Sequence, residues 1–229
     1  MKIAVAKGDG IGPEIMDAVL RIFNANQVPL EYEFVEMGKW GFDKGFNNGM
    51  TPEARQTIES LGLLFKGPME TPKGKGVKSI NVTARKTWNT FANKRVFQSL
   101  HGVNTVFSKA GIPIDITVVR ENIEDTYGGI EHMLTHDVAL SRRFITRPGS
   151  MQVIRYAFEM ARQKKAKRIT CGHKANIMKL TDGLFLECFY EVAKEFPELK
   201  ADDVIVDDLC MKLVTRPDSF DVVVLTNLQ

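Results

Sequence analysis

Three arginines are spaced along this chain where they could grip a small polyanion. Arg85 closes the run Gly76-Val77-Lys78-Ser79-Ile80-Asn81-Val82-Thr83-Ala84-Arg85. Asn81 and Arg85 are four residues apart and would share one face of a helix. Ser79 stands at the start of that helix, where a hydroxyl and free backbone amides can hold an anion. Arg95 follows on the next expected strand, and Arg120 ends another, in Arg120-Glu121-Asn122. A guanidinium can hold a carboxylate with two parallel hydrogen bonds, so the three suit a ligand bearing several carboxylates. Taken alone, the 76–85 segment also reads as a capped helix with a surface arginine.

Other residues could move protons or hold a metal. Tyr127 follows the acidic stretch Glu121 to Asp125, and Lys174 in His173-Lys174-Ala175-Asn176 stands at the carboxyl end of a buried strand. A tyrosine or lysine so placed can have its pKa tuned for proton transfer, although a structural or solvated role suits either residue alone. Asp207 closes a further expected strand. Its hard oxygen donors suit Mg²⁺ or Mn²⁺, and a helix cap is the competing reading. Oxygen-rich, cysteine-free strand ends disfavour zinc. The turn Gly8-Asp9-Gly10-Ile11-Gly12 has the spacing G-x-G-x-G, not the G-x-G-x-x-G of a dinucleotide fingerprint. It reads as a tight strand-to-helix turn.

The elements that must position these groups alternate. Strand Ile3–Ala6 precedes a helix begun by Pro13, and a helix capped by Thr51 with Pro52 in its first turn leads to strand Leu63–Lys66. A helical pattern spans about Asn81 to Asn93, and strand Ile114–Val119 delivers Arg120. Beyond it, helix Met151–Arg162, strand Arg168–Cys171, a helix after Lys179, strand Val204–Val206, a short helix and strand Val222–Leu225 complete the chain. Strands alternating with helices predict an α/β layered fold. Residues 125–147 break the rhythm, being short, β-prone and polar, and read as an arm. The chain then stops four residues past a buried-type strand, just where α/β sheets gather ligand groups.

At 229 residues with 44% hydrophobic and 26% charged side chains, the composition is that of a globular protein of one large or two modest domains. No apolar run approaches a membrane span, and the start lacks the apolar core and cleavage site of a signal peptide. The three cysteines show no paired metal-ligand spacing and read as reduced thiols, so a cytoplasmic location is expected. Net charge is only +3, and the run Lys164-Lys165-Ala166-Lys167-Arg168 lacks interleaved aromatics. Neither nucleic acid nor membrane is an expected partner.

In this order and at these separations, GDGIGPE, KGPMETP, KSINVTARK, VVRENIEDTYGGIEH, HKANIMK and VDDLCMKLVTRPDSFDVVVLTN resemble the β-decarboxylating dehydrogenases over the whole chain. That family comprises the isocitrate, 3-isopropylmalate and homoisocitrate dehydrogenases. The resemblance implies its three-layer α/β fold: residues 1–90 as the amino-terminal part of a large domain, 91–124 and 148–229 as a small α/β domain, and 125–147 as a dimerisation clasp. It implies Ser79, Asn81, Arg85, Arg95 and Arg120 as substrate binders with Thr71 beside the ligand, and Tyr127 and Lys174 as the catalytic pair. It implies Asn176 near the nicotinamide of NAD or NADP, and Asp207 as a ligand of Mg²⁺ or Mn²⁺ donated across a homodimer interface.

The polar Ser79 and Asn81 resemble the isocitrate branch, since isopropylmalate enzymes usually present apolar residues there. The implied reaction is oxidative decarboxylation of isocitrate to 2-oxoglutarate. Homoisocitrate or 3-isopropylmalate is the alternative substrate, and a non-catalytic subunit assembling with a full-length partner is the alternative of another class. Two departures stand out. Val96 replaces the family's usual proline after Arg95, and the family continues past Asn227 with a Gly-Asp pair and a second aspartate that complete the metal site. The expectation is therefore an amino-terminal portion, inactive alone.

Overall fold

The computed structural model describes residues 1–70 and 79–229. Thr71 lies outside the described residues. The chain divides into two compact units, Met1–Thr87 and Trp88–Gln229.

The first unit holds strand β1 (Lys2–Ala6), helix α1 (Gly12–Ala25), β2 (Glu31–Phe34), α2 (Lys39–Asp43), α3 (Pro52–Leu61), β3 (Leu64–Lys66) and α4 (Ile80–Thr87). The sheet runs β2-β1-β3, with β1 parallel to both neighbours. Central β1 is buried from Ile3 to Ala6, which explains its unbroken apolar run. Thr51 Oγ1 accepts the Ala54 amide at 3.1 Å to cap α3, and Gly62 closes that helix at φ +69°. The glycine-rich turn after β1 is a packing device. Gly8 sits at φ +79°, and a Cβ there would lie 2.0 Å from the Pro68 carbonyl oxygen, so any side chain must displace backbone. Asp9 donates its amide to that carbonyl at 2.8 Å, while its carboxylate accepts from the Lys39 and Glu70 amides at 2.9 Å. The motif thus ties the ends of β1 and β3 to the start of α2.

The second unit contains β4 (Ala92–Gln98), α5 (Val106–Lys109), β5 (Asp115–Glu121), β6 (Ile130–Thr135), β7 (Val138–Arg142), α6 (Arg147–Gln163), β8 (Arg168–His173), α7 (Thr181–Ala193), β9 (Lys200–Ile205), α8 (Val206–Thr215) and β10 (Val222–Leu225). Its sheet runs β4-β5-β10-β8-β9, parallel except for β4, which lies antiparallel along β5. Helices α6 and α7 cover one face, where Val222 and Val224 join Val153, Phe158, Phe185 and Phe189. Helix α8 covers the other, where Val223 meets Leu209 and Phe220. Alternate residues of β10 thus feed opposite cores, giving the three-layer α/β arrangement. Phe158 is fully buried, with its ring centroid 5.2 Å from those of both Phe189 and Phe196. Burial of such a ring contributes about 2–3 kcal/mol.

Two boundaries differ from the sequence reading. The helix expected to reach Asn93 stops at Thr87. Asn89 turns the chain at φ +46°, and β4 begins at Ala92 because seven consecutive residues pair with β5. Strand pairing outweighs the local helical spacing here. Asp207 does not end a strand: β9 stops at Ile205, and Asp207 lies in the first turn of α8. Val96, at the family's proline position, pairs in regular register with Thr117. The 125–147 arm contains a 3₁₀ turn (Asp125–Gly128) and the antiparallel hairpin β6–β7, whose strands are exposed along their whole length.

Candidate active site

In the second unit, charged groups gather past the carboxyl ends of the parallel strands. Arg120, the penultimate residue of β5, donates from Nε to the Asn227 carbonyl and from Nη2 to Asn227 Oδ1, both at 2.6 Å. Asn227 is 1% exposed and follows β10, so a buried amide sets the plane of the guanidinium. The Arg120 guanidinium carbon lies 5.2 Å from the ring centroid of Tyr127, a residue 37% exposed. This cation–π geometry orients both side chains. Arg95 opposes Val118, two residues from Arg120, and opposed residues of an antiparallel pair share a sheet face. Arg95 and Arg120 are therefore diagonal neighbours on one face. The exposed Arg95 otherwise contacts only Asn93 Oδ1, at 3.1 Å, among the described residues.

Lys174 follows β8 directly, and its Nζ donates to Asp207 Oδ1 at 2.5 Å. This hydrogen bond is the main reason that the Asp207 carboxyl is held below the usual carboxylate range, with a backbone amide at the α8 start adding to it. Beneath Lys174, His173 Nδ1 accepts the Ala175 amide at 3.0 Å and Nε2 lies 2.8 Å from Asp203 Oδ2. The amide contact assigns the imidazole proton to Nε2. Tyr190 donates to the other Asp203 oxygen, and burial, then that bond, push its phenol well up. Asn176 is exposed in the turn before α7.

In the first unit, Ser79 precedes α4 and its carbonyl accepts the Thr83 amide at 2.9 Å. Asn81 and Arg85 share one face of α4, both half-buried, and Asn81 Oδ1 has no hydrogen-bond partner among the described residues. Sequence reasoning missed Lys66, at the end of β3. More than a third of its surface is in water, yet its pKa is lowered, first by local burial of the ammonium and then by Arg85. Its ammonium donates to the Gly67 carbonyl at 3.3 Å. Its signal was a lysine closing a buried strand before Gly67-Pro68. Asn227 and His173 were also missed, because their roles depend on contacts distant in sequence.

A hard divalent cation fits Asp207 in donor chemistry, since the carboxylate is 68% exposed and kept ionised. Among the described residues no cluster of three or more His, Cys, Asp or Glu completes a shell. Nor is any helix among them long and apolar enough to cross a membrane.

The three-layer α/β fold carries an arginine, a tyrosine, a lysine and an aspartate at or near the carboxyl ends of its parallel strands, where sheets of this class gather ligand groups. The chain belongs to the isocitrate/isopropylmalate dehydrogenase family, whose model matches residues 2–229. It is 44% identical over 226 residues to isocitrate dehydrogenase [NADP] of Thermus thermophilus, a match covering 99% of this chain and 45% of that protein. It is 42% identical to the chloroplastic 3-isopropylmalate dehydrogenase of Solanum tuberosum, over 96% of this chain and 60% of that one. The solved isocitrate dehydrogenase of Methylococcus capsulatus superposes with a TM-score of 0.90 at 42% identity, over 99% of this chain and 67% of that one. The chain therefore spans about half the length of the curated relatives it matches.

Proposed function

We propose that this chain carries the substrate-gripping and proton-transfer groups of an isocitrate dehydrogenase, which converts isocitrate to 2-oxoglutarate using NAD or NADP and Mg²⁺ or Mn²⁺. The observation that carries this reading is the Lys174–Asp207 hydrogen bond past β8 and β9, in the same sheet whose β5 end bears Arg120 and Tyr127. Arg85, Arg95 and Arg120 hold carboxylates that persist through the reaction, so their main contribution is positioning. Thr71, Ser79 and Asn81 complete the substrate contacts, and Asn176 lies on the coenzyme side. When bound, the metal supplies Lewis-acid polarisation of the substrate hydroxyl and the nicotinamide supplies a hydride acceptor. Lys174 assists removal of the hydroxyl proton and is replenished through Asp207, and Tyr127 returns a proton to the carbon that loses carbon dioxide.

Polar side chains at 79 and 81 favour isocitrate over 3-isopropylmalate, because an isopropyl group would meet polar side chains there instead of the apolar surface it needs. A substrate panel tests this: at saturating coenzyme and Mn²⁺, the complete enzyme should prefer isocitrate by kcat/KM at least about tenfold over homoisocitrate and 3-isopropylmalate. Preference for either competitor would defeat the assignment.

Residues 1–90 form the amino-terminal part of the large domain in this reading, 91–124 and 148–229 the small domain, and 125–147 the clasp. The hairpin exposes Met133, Leu134, Val138 and Leu140, at 42–61% of their surface, an apolar set suited to burial against a second copy. Since Lys174 and Asp207 pair within one chain, a subunit that lends one to its neighbour's site lends both. Leu140→Asp should shift the protein from dimer to monomer in sedimentation velocity; a dimer that persists at low micromolar concentration would remove the hairpin from the interface.

A further inference from the structure

Below the strand ends lies a buried ionic cluster that the proposed chemistry does not use. Arg143, just past β7, holds Asp125 with two parallel hydrogen bonds, Nε to Oδ1 at 2.6 Å and Nη2 to Oδ2 at 2.9 Å. Its Nη1 lies 2.6 Å from Asp182 Oδ1, at ion-pair distance but without hydrogen-bond alignment, since that oxygen has no hydrogen-bond partner among the described residues. Nη2 also reaches Thr226 Oγ1 at 2.9 Å. Both carboxylates are fully buried and the arginine side chain is 11% exposed. Two carboxylates share one guanidinium, so the cluster carries formal negative charge that must be met by other donors.

Those donors are largely backbone amides from three separate strand ends. Asp125 accepts from the amides of Thr126 at 2.8 Å and Leu228 at 3.1 Å. Asp182 Oδ2 accepts the amide of Lys174 itself at 2.6 Å, and the side chain of Gln229 at 3.1 Å. The cluster therefore grips the turn after β5 one residue before Tyr127, the peptide of Lys174 after β8, and the segment after β10 next to Asn227. Asp125 sits at φ +69°, a conformation a non-glycine residue holds only when its surroundings impose it.

We infer that Arg143, Asp125 and Asp182 are positioning residues that lock the Tyr127 turn and the Lys174 peptide into one frame. None of the three touches the reacting atoms on this reading, which rests on the assignment of Tyr127 and Lys174 as the proton-transfer pair. The frame acts through those two residues, so its loss slows chemistry rather than substrate binding.

Double-mutant cycles in the complete enzyme test this. Asp182→Asn is nearly isosteric but removes the charge that faces Arg143 Nη1. It should lower kcat at least about tenfold, with KM for isocitrate changing less than about twofold. In a Lys174→Met background the same substitution should cost less than about twofold. Asp125→Asn should show the same dependence on Tyr127→Phe. An equal loss in both backgrounds, or no loss at all, overturns the proposal and leaves the cluster a support of the fold. Should an Asn variant fail to fold, Arg143→Lys, which keeps the charge but loses the fork, should give the same split. A readout independent of turnover separates this proposal from the functional one. Amide exchange at Lys174 should quicken at least about tenfold in Asp182→Ala, and at Thr126 and Leu228 in Asp125→Ala. Unchanged exchange overturns the positioning role even if isocitrate is the substrate. Quickened exchange in an enzyme that ignores isocitrate upholds the frame and overturns only the substrate assignment.

Discussion

Lys174→Met is expected to lower isocitrate turnover by about a hundredfold or more, the usual range for losing a positioned general base. Methionine keeps the apolar stem and approximate length, so packing below the strand end survives while the ammonium that bonds Asp207 disappears. Asp207 then loses the main contact that holds its carboxyl down, and its pKa should rise toward the ordinary range. Tyr127→Phe should cost a similar factor while keeping the ring beside Arg120. Its signature is distinct: delivery of a solvent proton to the product carbon slows more than hydride transfer, which isotope incorporation from deuterated water would reveal. KM should move little in both variants, because neither side chain is assigned to the substrate carboxylates. Full turnover in either variant removes that residue from the proton-transfer pair.

Arg120→Ala should weaken isocitrate binding by about 1.5–3 kcal/mol, the scale of a charge-assisted hydrogen bond, or roughly tenfold to a hundredfold in KM. It should also destabilise the fold. Asn227 is 1% exposed and would lose both donors that occupy its carbonyl and its Oδ1, which costs about 1–3 kcal/mol. Urea denaturation would register that second loss. Arg95→Ala supplies the contrast: its side chain is exposed and held only by Asn93 among the described residues, so binding should suffer with little change in stability. Arg85→Ala should also weaken binding. Unchanged Michaelis constants in all three variants would defeat the reading of a polycarboxylate grip.

What the sequence determined by itself was whatever depends on neighbours along the chain. The alternation of strand and helix, the Thr51-Pro52 helix start, the shared α4 face of Asn81 and Arg85, and family membership carried by ordered motifs were all legible, because their physics is local or their spacing is rigid. Val96, where the family usually has proline, pairs in regular register with β5. Only the tertiary structure decided where α4 stops, since a seven-residue ladder to β5 outweighs local helical spacing. It also placed Asp207 on a helix instead of a strand, because β9 ends two residues earlier. Tertiary structure alone brings Arg120 to Asn227 across 107 residues and Lys174 to Asp207 across 33. It likewise joins Arg143 to Asp125 and Asp182. Such contacts leave no periodic trace, because each depends on which strands are adjacent in the sheet, and that order is set by burying both its faces.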